Sequence, residues 1–252
     1  MGMWSTAGGV VRRDRAIVAA GLIGITLIGW AYLYHDASTM HCERMAMPNT
    51  APWNAGEFGL MFIMWTIMMI AMMIPSASPM LLSFATVNRR RLERDAPYVS
   101  TSVFLLGYLL VWTLFSLAAT LVQGWLQAGA LVSPAMVSTS SVFAGYLLVI
   151  AGVFQWTPLK RRCLTHCHAP LSFLTAHWRE GRTGALVMGV HHGLYCVGCC
   201  WAVMLLLFVA GVMNLFWVAT IAAFVLLEKL APRLVSPLGG ALMVCAGIWM
   251  LV

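Results

Sequence analysis

The chain has 252 residues, of which 61% are hydrophobic and only 9% are charged. Soluble domains carry about 25% charged residues, so this composition excludes a water-soluble globular protein and indicates that the bilayer is the solvent. The net charge of +7 is divided into short clusters between apolar runs. This pattern argues against nucleic acid as a partner and is typical of the cytoplasmic loops of a membrane protein.

Seven apolar segments are long enough, or nearly so, to cross about 30 Å of hydrocarbon. We therefore predict an all-α polytopic membrane protein, a bundle of about seven transmembrane helices with six as the alternative, forming a single membrane domain over 1–252. The first segment is too long for the core of a signal peptide, so we interpret it as a retained helix. The predicted spans are 16–34, 58–86, 103–122, 141–157, 184–210, 214–230 and 236–252.

Some segments depart from a simple span. Pro75 and Pro79 interrupt the second one, so we expect it to kink or break near its inner end. The uncharged segment 123–140 is interpreted as an outer loop or a shallow re-entrant turn, and 171–178 as a short interfacial helix.

The basic residues predict the orientation. With a cytoplasmic N-terminus, 14 of the 15 basic residues lie on the inner side, in clusters at 12–15, 89–94, 160–162, 179–182 and 229–233, and only Arg44 lies outside. Positive charge resists translocation, so this bias predicts a multi-pass protein of a bacterial inner membrane with its N-terminus inside.

The second span carries a methionine face. It reads MFIMWTIMMIAMMIPSASPM from Met61, and at 100° per residue its thioethers gather on one side and the adjoining flank. Thioether sulfur is a soft, neutral donor that favours copper(I), although a methionine stripe is also an ordinary way to fill a core. The candidate ligands here are Met64, Met68, Met69, Met72 and Met73.

The fifth span combines histidine and cysteine. On a helix, His192, Cys196 and Cys199 share one face, with Cys200 at its edge. Buried free cysteines are common, but a histidine in hydrocarbon requires a partner, so His192 or its neighbour His191 is a candidate ligand. These donors also suit zinc or iron, so the sequence prefers copper(I) without excluding either.

Two further groups of donors flank the spans. The outer segment 40–47 holds His41, Cys42 and three methionines, and is interpreted as a capture loop or as an incidental solvated loop. On the inner side, Cys163 and Cys167 belong to a short Cys/His tract that lacks the second half of a zinc finger. We expect this tract to bind metal by itself or to close the intramembrane site from below.

Charged residues near the inner ends of the spans have simpler interpretations. Glu228 and Lys229 are interpreted as an ion pair or as side chains that snorkel to the interface. We place none of the eight acidic residues deep in a span, so a carboxylate proton relay is unsupported.

The sequence resembles a bacterial family of predicted metal-binding integral membrane proteins. The resemblance is carried by MWTIMMIAMMIPS at 64–76, CLTHCHAPLSF at 163–173, GLYCVGCCWAVM at 193–204, GVMN at 211–214 and the EK pair at 228–229. It implies a bound metal without specifying a reaction. The ligands that it implies are Met68, Met69, Met72, Met73, Cys196, Cys199 and Cys200, together with Cys163 and Cys167.

Three functions fit these features. The first is membrane-embedded binding of a soft metal, copper(I) above others, for transfer, permeation or delivery to a metallochaperone or a membrane metalloenzyme. The second is a membrane thiol–disulfide oxidoreductase that uses Cys196 and Cys199. The third is an accessory subunit or assembly factor of a larger complex. No Walker loop, Gly-x-Ser-x-Gly elbow or HExxH motif is present, so a non-enzymatic role is favoured.

Overall fold

The computed structural model describes residues 3–43, 53–92, 99–129, 131, 138 and 140–252. The described chain is helical. Its helices are α1 (Met3–Glu43), α2 (Ala55–Leu92), α3 (Thr101–Ala128), α4 (Ser141–Phe154), α5 (Pro158–His168), α6 (Pro170–His177), α7 (Gly181–Met204), α8 (Leu207–Ala210), α9 (Leu215–Leu230) and α10 (Pro232–Leu251).

The predicted all-α polytopic fold is confirmed. Within the described residues, five helical stretches are long and apolar enough to span a membrane, and a sixth span results if α4 and α5, which meet at a bend of 66°, are counted together. The structure therefore supports the lower of the two predicted counts. The segment predicted at 214–230 forms α9, whose 16 residues cover only about 24 Å, less than the hydrocarbon thickness.

Of the expected kink or break in α2, the break is absent, because the helix is continuous through Pro75 and Pro79. A proline lacks the N–H that would bond the carbonyl four residues earlier, so Pro79 leaves the Pro75 carbonyl free. The Ser78 hydroxyl donates to that carbonyl at 2.8 Å. A local side chain thus satisfies the backbone group, which is the usual way that membrane helices tolerate proline.

Glycines set the closest helix contacts. A Cβ atom on Gly107 of α3 would lie 2.3 Å from the Leu186 carbonyl oxygen of α7, and one on Gly189 would lie 2.0 Å from the Phe104 carbonyl oxygen. Small residues allow membrane helices to pack backbone against backbone, where dispersion contacts replace the absent hydrophobic effect. Because α3 also packs against α2, it joins the methionine-bearing and cysteine-bearing helices.

The bundle exposes many large apolar side chains and buries a small set of polar ones within its apolar core. Phe216 and Trp249 are 80% and 82% exposed, as expected for side chains that face lipid. In contrast, Lys160, Glu228 and Lys229 are buried. Charged groups inside a membrane protein are costly and are typical of functional sites. These three residues therefore mark a candidate functional site in the interior of the bundle.

We expect the substitution Gly189→Ala to destabilise the bundle, because its methyl group would force α3 and α7 apart. Overpacking of this kind costs about 1–3 kcal/mol. The matched control is Gly59→Ala on α2, where a Cβ atom meets nothing within 4 Å. Thermal unfolding in detergent should show a lower midpoint for the first variant and no loss for the second. Equal midpoints would contradict this description of the α3–α7 contact.

Candidate metal centre

Cys196 of α7 lies at the centre of the polar interior and contacts side chains from two other helices. Its sulfur is 3.1 Å from the Lys229 Nζ atom of α9 and 3.3 Å from the Tyr108 hydroxyl of α3. All three side chains are buried. The Cys196 sulfur is therefore held by two polar groups in a region without access to water.

Three other thiols surround Cys196. Cys199 and Cys200 follow it on α7, and Cys167 of α5 lies within hydrogen-bonding reach of both Cys196 and Cys199. We refer to Cys167, Cys196, Cys199 and Cys200 as the thiol cluster. All four are free and buried. The sequence named Cys167 as a candidate that binds metal in its own tract or closes the intramembrane site from below, and its place beside Cys196 and Cys199 agrees with the second alternative.

The bend between α4 and α5 brings Cys167 to this position. Thr157 caps the N-terminus of α5, where its hydroxyl accepts from the Lys160 backbone N–H at 3.3 Å, and Pro158 occupies the first turn. The helix then packs along α7. A Cβ atom on Gly198 would lie 2.8 Å from the Cys163 sulfur, so the missing side chain leaves room for this half-buried thiol.

His192 lies one helical turn before Cys196. It is buried, and neither of its ring nitrogens has a hydrogen-bond partner among the described residues. Its ring stacks on Tyr108 with a centroid separation of 5.6 Å, and Phe104 and Phe173 surround the remaining sides. A buried imidazole without a partner carries a desolvation cost that a metal ion or another ligand would offset.

The neighbouring His191 points elsewhere. It is only half-buried, and its ring lies 6.3 Å from that of His177, outside the thiol cluster. The sequence named both histidines as candidates, and the structure places His192 alone among the aromatic side chains next to Cys196.

The methionine face of α2 is directed into the bundle. We refer to its buried members Met64, Met68, Met69, Met72 and Met73 as the methionine column. Its inner end meets the thiol cluster through shared partners, because the Tyr108 hydroxyl donates to the Met73 carbonyl at 3.2 Å and also contacts the Cys196 sulfur. Beyond the outer end, the Met61 sulfur lies 4.0 Å from the Gln123 amide nitrogen.

The interpretation of Glu228 and Lys229 as a mutual ion pair or as snorkelling anchors is wrong, because both side chains are buried and each has other partners. Glu228 accepts from Lys160 at 2.8 Å and from the Ser236 hydroxyl at 3.0 Å. Lys229 donates to the Ser76 hydroxyl at 2.8 Å and contacts Cys196. Glu228 is thus an acidic side chain in the interior, which the sequence did not lead us to expect.

Sequence reasoning missed several residues of the centre. For Lys229 a signal was present, since an ionisable residue at the end of an apolar segment is a functional candidate when it cannot reach water. Tyr108 and Ser76 gave no such signal, because a single tyrosine or serine is common in any span. Their contacts with Cys196 and Lys229 become visible only when the helices are packed together, with α3 against both α2 and α7.

The thiols are not yet arranged as in a metal complex. Over the described residues, no three His, Cys, Asp or Glu side chains converge as a ready-made metal site. The Cys199 and Cys200 sulfurs instead donate to the Cys196 carbonyl at 3.1 and 3.0 Å. Rotation of either side chain to another staggered rotamer would turn its sulfur away from this carbonyl.

The residues present fit copper(I) as cargo. Thiol and thioether sulfurs, the main donors of the centre, select soft ions over hard cations. No described carboxylate belongs to this group, because Glu228 is occupied by Lys160. The unpartnered nitrogens of His192 add a borderline donor beside the sulfurs.

Comparison with known proteins shows the family to which the chain belongs. A protein family described as "PpoB2: Copper chaperone" matches residues 62–250, which is well over half of the chain. The match includes the methionine column, the thiol cluster, Tyr108 and Lys229. No curated protein and no solved structure matches significantly.

We expect Glu228→Gln to destabilise the protein strongly, because it leaves the Lys160 ammonium buried without a counter-charge. Breaking one side of a buried pair costs about 3–5 kcal/mol. The control is Glu180→Gln, which breaks the partly exposed Arg91–Glu180 pair and should cost less than about 1 kcal/mol.

Unfolding midpoints in detergent would measure both effects. The double variant Lys160→Met, Glu228→Leu removes both charges and should recover much of the lost stability. A Glu228→Gln protein as stable as the wild type would contradict the buried pair.

Proposed function

The chain belongs to the PpoB2 copper chaperone family, and we propose that it binds copper(I) at the thiol cluster, inside the membrane, and delivers the ion to an acceptor copper protein. The observation that supports this proposal best is the meeting of soft donors around Cys196. Cys167 approaches it from α5, and Cys199 and Cys200 follow it on α7. The backbone carbonyl of Met73 on α2 shares the Tyr108 hydroxyl with the Cys196 sulfur.

Copper(I) is the oxidation state that these donors favour. Thiolates and thioethers are soft donors that stabilise the monovalent ion. The cluster lies in a dry interior, where an ion bound by sulfur is protected from water and from oxidation. An ion that is to be passed on favours a site that opens and closes by rotation of side chains. In this proposal, Cys199 and Cys200 rotate away from the Cys196 carbonyl, to which they now donate, to bind the ion.

The methionine column provides an approach to the thiol cluster. At 1.5 Å per residue, Met64 and Met73 are separated by about 14 Å along α2. Neutral sulfur ligands at successive depths allow a copper(I) ion to move through apolar surroundings without fixed charges on the protein. With the N-terminus of the chain in the cytoplasm, this path begins on the outer side of a bacterial inner membrane.

In this proposal, copper(I) leaves the thiol cluster through Cys163. It is half-buried, packs against Gly198 of α7, and lies one turn before Cys167 on α5. A thiol with partial access to solvent next to a buried cluster can pass copper(I) to a partner by ligand exchange. We therefore assign the inner side, where α5 lies, as the contact with a metallochaperone or a membrane metalloenzyme.

Purified protein, handled under reducing conditions, should retain about one equivalent of copper or more. Changing Cys196, Cys199 and Cys200 together to serine should abolish most of this binding, because serine is a hard donor of similar size. The control is Cys245→Ser, which removes an exposed thiol of α10 that is not part of the cluster. This variant should retain the wild-type copper content. Elemental analysis measures all three proteins.

Wild-type copper content in the triple variant would contradict the site. Alkylation of thiols in cells tests the oxidoreductase alternative at the same time. A disulfide between Cys196 and Cys199 that forms and is reduced without copper would support that alternative instead.

The double variant Met68→Leu, Met72→Leu tests the methionine column. Leucine conserves volume, so the fold should persist at a cost below about 1.5 kcal/mol, while two sulfur donors are lost. We expect the rate at which externally added copper(I) reaches the thiol cluster in proteoliposomes to fall at least about tenfold, with the final copper content unchanged. The control Met250→Leu, on α10, should load at the wild-type rate. An unchanged rate in the double variant would contradict the path.

A further inference from the structure

We propose that Lys229 is the specificity-determining residue of the centre, and that its positive charge makes the thiol cluster selective for monovalent over divalent soft ions. This inference rests on the proposed binding of copper(I) by the thiol cluster. It adds a reason for selectivity that donor softness alone does not provide, since thiols also bind zinc and cadmium.

Lys229 is directed at the thiol cluster rather than at an acidic side chain of the described residues. Its Nζ atom contacts the Cys196 sulfur at 3.1 Å and the uncharged Ser76 hydroxyl at 2.8 Å. The adjacent carboxylate, Glu228, is paired with Lys160 and Ser236. Among the described residues, Lys229 forms no salt bridge with an acidic side chain. Of the two side chains that contact its ammonium, only Cys196 can carry a negative charge.

The net charge of the loaded site then depends on the ion. Two thiols that bind a metal lose their protons and contribute two negative charges. With one monovalent ion and the Lys229 ammonium, the buried group is neutral. With a divalent ion and the same two thiolates, it carries one net positive charge, and a third thiolate would be needed to cancel it.

The surroundings make this difference large. The cluster is buried among apolar and aromatic side chains of α2, α3 and α7, where charges interact far more strongly than in water. An uncompensated charge there is costly, whereas a neutral assembly is not. Lys229 thus acts on metal choice through the charge that it adds beside Cys196, without being a ligand.

The position of Lys229 is fixed by Ser76. The Ser76 hydroxyl also donates to the Met73 carbonyl at 2.9 Å, which ties this residue to the inner end of the methionine column. This contact offers a second way to alter the charge, because an acidic residue at position 76 would neutralise Lys229 without removing it.

The test compares silver(I) with cadmium(II), two soft ions with filled d shells that differ in charge and are stable to redox change. For each protein, the ratio of the two dissociation constants in detergent gives the monovalent preference. In Lys229→Met, we expect this preference to fall at least about tenfold, since about 1.4 kcal/mol of electrostatic difference produces that change. Arg182→Gln, which removes an exposed positive charge at the start of α7, should leave the ratio unchanged.

A second pair keeps the test decisive if Lys229→Met does not fold. Ser76→Asp should lower the monovalent preference as the loss of Lys229 does, whereas the matched neutral variant Ser76→Asn should preserve it. Equal ratios in the two Ser76 variants, or a wild-type ratio in folded Lys229→Met, would overturn the role of Lys229. If wild-type protein bound neither silver(I) nor copper(I) at its thiols, the proposed copper function itself would fail.

Discussion

A lysine ammonium lies against a cysteine sulfur inside a bundle of apolar helices, and the rest of the centre depends on this contact between Lys229 and Cys196. A charge at this depth requires polar partners, and α2 and α7 provide them. Ser76 of α2 holds the ammonium, Tyr108 of α3 holds the sulfur, and Lys160 of α5 neutralises the neighbouring Glu228. These contacts hold the helices around a site where soft donors lie next to a positive charge that has no carboxylate partner among the described residues.

Close backbone packing makes this arrangement possible. The side chains of Tyr108 and Cys196 touch because α3 and α7 approach at Gly107 and Gly189, where no Cβ atom could be placed. The same logic brings Cys163 against Gly198 on the inner side of α7. In a membrane, where apolar side chains gain little by leaving lipid, such small residues determine which helices meet. They therefore decide which donors surround Cys196.

The membrane fold and the soft donors of α2 and α7 follow from the sequence, because hydropathy and helical periodicity are local properties of the chain. The burial of Met68 and Met72, and the inward direction of Cys196 and Cys199, agree with that periodicity. The bend before α5 and the inward turn of Lys229 are not local. They depend on which helices pack together, so no spacing in the sequence could pair Lys160 with Glu228 across 68 positions.

Copper-edge X-ray absorption of the protein loaded with copper(I) tests the central claim most directly. The account predicts a nearest shell dominated by sulfur, from thiols of the cluster, with at most one nitrogen from His192. Serine at positions 196, 199 and 200 should remove this sulfur shell. A nearest shell of nitrogen and oxygen without sulfur, as surface histidines would give, would contradict a thiol centre in the membrane interior.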